Sequence, residues 1–402
     1  MPQIPMHVTR LRLTNFRNYR LLELEPPPGL VLLVGENAQG KTNLLEAMFY
    51  LSTSRSPRTT RDAELVAWQV PEGDQRVARA EATVMRAHGR ITLDVTVMAK
   101  ADARPSPPSP DDDAGDFVAA APGAQKRIRV NGVPKRAMDL LGNFPVALFR
   151  PEDVELVTAA PAVRRRSVDI LISQLEPRYP RALQRYARAV TQRNHLLKQM
   201  QDHNVGHEQL APWDDLLVRD GVYIIAERLR ALARLSPLAA EAHEAISGSR
   251  DRLTMQYRPT AAAPDPSQDA AALDAAFREA LAAALRRDVA MGQTTVGPHR
   301  DDVALLINGA PAGDYGSRGQ QRTAALGWRL AEAAYLREVS HEPPVVLLDD
   351  VLSELDALRR EAVLEAMAPF DQVFLTTTGA ELSGTAMRPA VVFTIHRGAL
   401  VV

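Results

Sequence analysis

Residues 35 to 42 read Gly35-Glu36-Asn37-Ala38-Gln39-Gly40-Lys41-Thr42, a complete phosphate-binding loop, and they constrain the fold more than any other stretch. The apolar run Leu30-Val31-Leu32-Leu33-Val34 before the loop reads as a buried strand, and Asn43 to Leu51 after it reads as a helix. Strand, glycine-bounded loop, Lys-Thr and helix in that order aim backbone N–H groups and a positive helix end at one point. Lys41 would reach the β- and γ-phosphates, and the Thr42 hydroxyl would bind Mg²⁺. A plain glycine turn between strand and helix is the competing reading. The pattern predicts binding of a nucleoside triphosphate.

With 402 residues the chain has room for two or three domains with real cores. It contains no cysteine, which excludes disulfides and thiolate metal sites. No apolar run approaches the roughly 20 residues that a membrane span needs. The opening Met1-Pro2-Gln3-Ile4-Pro5 lacks the layout of a signal peptide, so a cytoplasmic location without membrane is expected. The 48 Lys and Arg against 49 Asp and Glu leave a net charge of −1, so any nucleic-acid surface has to be a local patch.

The N-terminal part is rich in strand signals. His7–Leu13 and Leu21–Glu25 read as short strands, and Ala80–Met85 and Ile91–Met98 alternate. Asn131-Gly132 within Arg127–Val133 signals a hairpin. Ala101 to Gln125 holds five Pro and five Asp and is expected to be a disordered insertion between two sheet strands. From Pro151 to Val289 the pattern turns helical, with helices predicted over Arg178–Gln201, Trp213–Leu235 and Gln268–Val289. Pro259–Pro266 reads as a linker, and Val303, Leu305 and Ile307 alternate ahead of an Asn308-Gly309 turn. The expected division is 1–150 with the phosphate loop, a helical lobe over 151–290, and 291–402.

Val345-Val346-Leu347-Leu348-Asp349-Asp350 is a wholly apolar strand ending in two carboxylates. Strands apolar on both faces lie in the middle of parallel sheets, and their C-terminal ends face the ligand crevice. Asp349 is the natural partner of Thr42 for Mg²⁺, and Asp350 is placed to orient or deprotonate an attacking water. Taken alone, two Asp can also just end a strand and cap a helix. Gly316-Ser317-Arg318-Gly319-Gln320-Gln321-Arg322 precedes a helix predicted from Thr323 to Val339, and a Ser-x-Gly-Gln at a helix start offers a hydroxyl and free N–H groups to an anion.

Phosphate loop, Ser-x-Gly-Gln helix, Leu-Leu-Asp-Asp and then Ser353-Glu354-Leu355-Asp356 together resemble the ABC-type ATPase heads of the SMC/Rad50 group. With Asn15-Phe16-Arg17-Asn18-Tyr19, Phe149-Arg150-Pro151-Glu152-Asp153 and Gly297-Pro298-His299-Arg300-Asp301-Asp302, the chain is similar to the RecF family of bacterial recombination and gap-repair proteins. The resemblance implies an α/β fold, an ABC-type P-loop ATPase head with a mixed sheet around the P-loop helix and an inserted α-helical lobe. It also implies ATP as the nucleotide, sandwiched in an ATP-dependent homodimer in which Ser317, Gly319, Gln320 and the D-loop residue Asp356 act on the other protomer's nucleotide. The implied activity is a weak, DNA-stimulated ATPase. The implied partners are duplex DNA beside a single-stranded gap, RecR and RecO, which help load RecA.

Two departures stand out. Most ABC ATPases have Glu where this chain has Asp350, which predicts slow hydrolysis, and no His ends the strand Val373–Thr378. Phe149–Asp153 is the position expected for a glutamine loop. On the DNA side, Arg181, Arg185 and Arg188 fall at i, i+4 and i+7 of one predicted helix. A solvated face paired with carboxylates reads the same way. His299 beside Asp301 and Asp302 lacks a second His at ligand spacing, so a structural role is expected there rather than a metal.

Overall fold

The computed structural model describes residues 5–67, 76–99, 124–201, 206–248, 251–261, 270–379 and 391–401. Strands β1 (His7–Phe16) and β2 (Tyr19–Leu24) form a hairpin, and β3 (Gly29–Val34) leads through the phosphate loop into helix α1 (Lys41–Thr53). Then come β4 (Val77–Arg86), β5 (Gly89–Ala99), β6 (Ala124–Val130), β7 (Val133–Lys135) and β8 (Val146–Phe149). A mainly helical stretch follows: α2 (Glu155–Thr158), α3 (Pro161–Leu175), α4 (Tyr179–Gln201), α5 (Ala211–Ser247), β9 (Leu253–Arg258) and α6 (Ala270–Met291). The last part holds β10 (Asp302–Ile307), β11 (Ala310–Pro311), α7 (Ala312–Tyr315), α8 (Arg318–Ser340), β12 (Val345–Leu348), α9 (Ala357–Met367), β13 (Gln372–Thr377), β14 (Val391–His396) and β15 (Ala399–Val401).

These strands make three sheets. An antiparallel sheet runs β2-β1-β4-β5-β6-β7, a mixed sheet runs β15-β14-β3-β13-β12-β8, and a small sheet runs β11-β10-β9. In the mixed sheet β14, β3, β13, β12 and β8 are parallel, with β15 antiparallel at one edge. Its inner strands β3 and β12, and β8, are apolar because each face meets a different core. Val31, Leu33, Leu347 and Phe374 pack with α1 and the inner face of the antiparallel sheet. Leu30, Leu32, Val346, Leu348 and Leu375 pack with α8, α9 and the helices between β8 and β10. The helices of the middle stretch thus share one continuous core with the mixed sheet. None of the described helices is long and apolar enough to cross a membrane.

Several sequence expectations change on contact with the structure. The segment 151–290 is not purely helical: β9 lies inside it and pairs antiparallel with β10 from Leu253↔Ile307 to Arg258↔Asp302. The alternation Leu253, Met255, Tyr257, all buried, is a strand signal set among strong helix formers. Helix α5 runs past Leu235 and through Pro237, because Leu238, Ala239, His243 and Ile246 continue its buried face. That packing offsets the hydrogen bond that proline cannot donate. Of the expected insertion 101–125, Ala124 and Gln125 are the first residues of β6, paired with Ala99 and Met98; residues 101–123 lie outside the described residues, as do 262–266 of the expected linker.

The Asn131-Gly132 hairpin turn has positive φ at both residues, 51° and 76°. A Cβ at Gly132 meets no neighbour, so the cost of Gly132→Ala is purely conformational, about 1–2 kcal/mol. The urea midpoint should fall accordingly with an unchanged slope.

Candidate nucleotide-binding site

The loop from Gly35 to Gly40 leaves the C-terminal end of β3 and enters α1 through Gly40, whose φ is 121°. A Cβ there would sit 2.7 Å from Asn18 Nδ2, so glycine answers both the backbone angle and the close approach of the β1–β2 turn. That turn is part of the site. Asn18 Nδ2 donates to the Gln39 carbonyl at 2.9 Å, the buried Tyr19 hydroxyl donates to the Gly40 carbonyl at 2.9 Å, and Asn43 Nδ2 donates to Asn18 Oδ1 at 2.8 Å. Arg17 forks onto Glu46 of α1 at 2.9 and 2.7 Å, and Ser56 donates to the same buried carboxylate at 2.5 Å.

The opposite wall is the β14–β15 turn. Gly398 N donates to the Gln39 carbonyl at 2.9 Å, and Arg397 N donates to Gln39 Oε1 at 2.7 Å. Gln39 is thus held from both ends of the chain. Glu36, Asn37 and Ala38 remain exposed at the rim. Lys41 is buried, and its ammonium donates back to the loop's own carbonyls, those of Gly35 and, at 2.9 Å, Glu36.

The carboxylates at the end of β12 reach the loop. Thr42 Oγ1 donates to Asp349 Oδ1 at 2.9 Å, and Thr376 at the end of β13 donates to the same oxygen at 3.0 Å. Burial pushes the Asp349 carboxyl above the usual aspartate value. The two threonine hydroxyls oppose that rise, and the nearby charges of Glu152 and Asp350 add to it. Glu152 belongs to the stretch expected at the position of a glutamine loop. Asp350 has a left-handed backbone, φ 51°, fixed by its N–H donating to Thr376 Oγ1 at 2.8 Å and its carbonyl accepting from Ser353 at 2.8 Å.

Ser317, Gly319 and Gln320 lie at the start of α8 and make no hydrogen bond to the phosphate loop among the described residues. Ser317 caps α8, accepting from Gln320 N at 3.3 Å while its own N–H donates to Gln320 Oε1 at 2.9 Å, and Gln320 Nε2 donates to Asp251 at 3.0 Å. Ser317 and Gly319 are exposed. Asp356 caps α9, accepting from Arg359 N at 2.9 Å. Arg322 pairs with Glu354 at 3.0 Å, which sets the start of α8 beside the segment that carries Asp356.

Arg181, Arg185 and Arg188 share one face of α4, but two of them have carboxylate partners. Arg181 pairs with Asp139 at 2.6 Å and Arg185 with Asp220 at 2.7 Å, whereas Arg188 is exposed and in no ion pair among the described residues. The His299 region is a polar knot. His299 Nδ1 lies 2.8 Å from the Tyr186 hydroxyl, Asp301 accepts from Tyr257 and Thr260, and Asp302 accepts from Arg164. Desolvation pushes His299 down to about 3, so its ring is neutral at pH 7. Sequence reasoning missed Asn18, Tyr19, Thr376, Arg397 and Gly398 as parts of the site. Only the short polar run Asn15–Tyr19 was a visible signal.

Comparison with known proteins adds a consistent result. The RecF/RecN/SMC N terminal domain family matches residues 7–400. The chain is similar to the DNA replication and repair protein RecF of Chloroflexus aurantiacus, 44% identical over 383 residues and covering 93% of each chain. The RecF of Roseiflexus castenholzii is 41% identical over 384 residues, covering 94% of each. Among solved structures, the recombination mediator protein RecF-ATPrS in the RecFOR pathway superposes with a TM-score of 0.84 at 32% identity, over 99% of this chain and 98% of that one. An Smc head domain from Pyrococcus furiosus shares the fold alone, with a TM-score of 0.53 at 12% identity.

Proposed function

This chain belongs to the RecF family, and we propose that it works as an ATP-driven, DNA-binding switch of recombinational repair and replication-gap processing. The observation that carries the reading is the contact of Thr42 with Asp349 at 2.9 Å beside a loop whose lysine points inward. Solved RecF relatives are described with ATP and with ATPrS, which supports ATP as the nucleotide here.

In the proposed mechanism, the backbone of residues 35–42 holds the β- and γ-phosphates and Lys41 exchanges the Gly35 and Glu36 carbonyls for phosphate oxygens. The Thr42 hydroxyl and the Asp349 carboxylate are hard oxygen donors in contact, a set that suits Mg²⁺. A Mg²⁺ ion would supply charge neutralisation at the phosphates. Asp349 is desolvated, so a cation nearby favours its charged form. Asp350 orients the attacking water. Being shorter than glutamate, it reaches less far, which predicts slow turnover.

Ser317 and Gly319 sit exposed at the start of α8, so we assign them, with Gln320 and Asp356, to the nucleotide of a second protomer. ATP then closes a homodimer and hydrolysis opens it. For DNA, the exposed face of α4 is the proposed contact: Arg188 directly, with Arg181 and Arg185 shared between phosphates and their carboxylates. Duplex beside a gap, RecR and RecO are the proposed partners, and loading of RecA the outcome.

Sizing the protein with ATP, ADP or neither, with and without gapped duplex, tests the switch. A dimer should form only with ATP and be strengthened by DNA; equal dimerisation in every condition would remove the mechanism. Ser317→Arg should bind ATP as a monomer yet fail to dimerise, because its effect falls on the partner's site. Normal DNA-stimulated turnover by that variant would overturn the in-trans assignment.

A further inference from the structure

Both ends of the Gln320 side-chain amide are engaged. Its Oε1 accepts from the Ser317 backbone N–H at 2.9 Å, and its Nε2 donates to Asp251 Oδ2 at 3.0 Å. Asp251 lies between the end of α5 at Ser247 and the start of β9 at Leu253. Its other oxygen, Oδ1, accepts at 2.8 Å from Nδ2 of Asn308, in the turn between β10 and β11. Asn308 is fixed in turn: its Oδ1 accepts from Arg252 N at 2.9 Å, and its own N–H donates to the Arg252 carbonyl at 2.9 Å. The polarity of this chain of hydrogen bonds admits one arrangement. Each amide gives its oxygen to a backbone N–H and is left with its N–H₂ end, and only a carboxylate accepts from two such ends at once.

We propose that Asp251 is a positioning residue for the Ser-x-Gly-Gln run: acting through Gln320, it sets Ser317 and Gly319 in the geometry in which they meet the partner's nucleotide. The inference rests on the ATP-dimer reading above. Ser317 and Gly319 are exposed, so the capping box, and not packing of their own side chains, holds them in place. A Gln320 amide turned end for end would set its N–H₂ against the Ser317 N–H and open the box. It would also turn its oxygen toward the Asp251 carboxylate, and that repulsion excludes the reversed orientation. Asp251 is itself mounted on the core, because Leu253 and Ile307, the paired residues beside it and beside Asn308, are buried. A recognition group keeps its geometry only when a supporting group locks it.

The test uses the full-length chain, sized by sedimentation across protein concentration with ATP, with ATP affinity measured at monomeric dilution. Asp251→Ala should weaken the ATP dimer and slow DNA-stimulated turnover about tenfold or more, while ATP affinity of the monomer stays at the wild-type value. Asn308→Asp sets two carboxylates face to face and should be impaired in the same way. Position 308 has φ 53°, which aspartate tolerates as asparagine does. Adding Asp251→Asn to that variant should bring the dimer back to within about threefold of wild type, because the amide at 251 then donates to the carboxylate at 308 and turns its oxygen to Gln320. A defect repaired by a second substitution is not a failure to fold. If the wild type dimerises with ATP and Asp251→Ala dimerises and turns over equally well, the positioning role is overturned and the switch stands. A double variant no better than Asn308→Asp overturns it as well. A wild type that stays monomeric with ATP overturns both the switch and the inference built on it.

Discussion

Lys41→Met is expected to weaken ATP binding by about 2–4 kcal/mol, because a charge-assisted contact to the phosphates is lost. That is roughly thirty- to several-hundred-fold in the dissociation constant. The loop itself should survive. Lys41→Met loses the lysine's bonds to the Gly35 and Glu36 carbonyls, but Asn18, Tyr19 and Gly398 still hold the carbonyls of Gln39 and Gly40. Methionine also matches the length of the apolar stem, so the melting temperature should move little while affinity collapses. Titration with a fluorescent ATP analogue separates the two. Unchanged affinity in Lys41→Met would refute the phosphate-loop assignment.

Asp350→Asn is expected to hydrolyse ATP some 10²- to 10⁴-fold more slowly while still binding it, leaving a long-lived ATP dimer. The substitution is clean for a structural reason. Asp350 has φ 51°, a region that asparagine tolerates as well as aspartate, and its fixed contacts are made by its backbone N–H and carbonyl. Its carboxylate enters no hydrogen bond among the described residues, so the change removes chemistry and not packing. Single-turnover hydrolysis together with sizing checks it. Wild-type turnover in Asp350→Asn would move the water-orienting role to another group, with Glu152, whose charge acts on Asp349, the next candidate.

The phosphate loop, the apolar β12 and the Asn-Gly hairpin were legible because each is a local pattern. Adjacent residues alone dictate a turn, a buried strand or a helix start. What escaped is what depends on distant partners. Gln39 meets Arg397 and Gly398 across nearly the whole chain, and Thr376 bridges Asp349 and Asp350 from a neighbouring strand. Tyr19 stood out only as part of the Asn15–Tyr19 run, and only the fold brings its hydroxyl to Gly40. The α4 arginines were placed on one face correctly by helical spacing, but spacing does not reveal that Asp139 and Asp220 face two of them. Helix α5 crossing Pro237 shows burial overriding a local breaker.

The position of β3 has a consequence for synthesis. Both its neighbours, β13 and β14, lie beyond residue 371, and the turn that clamps Gln39 comes later still. A chain emerging from the ribosome therefore carries its phosphate loop from the outset, with no sheet to mount it on. Until β13 and β14 are free, the strand edges beside the loop stay unpaired and exposed to wrong partners. A product that stops before β13 would keep the loop sequence intact and lack the strands that mount it.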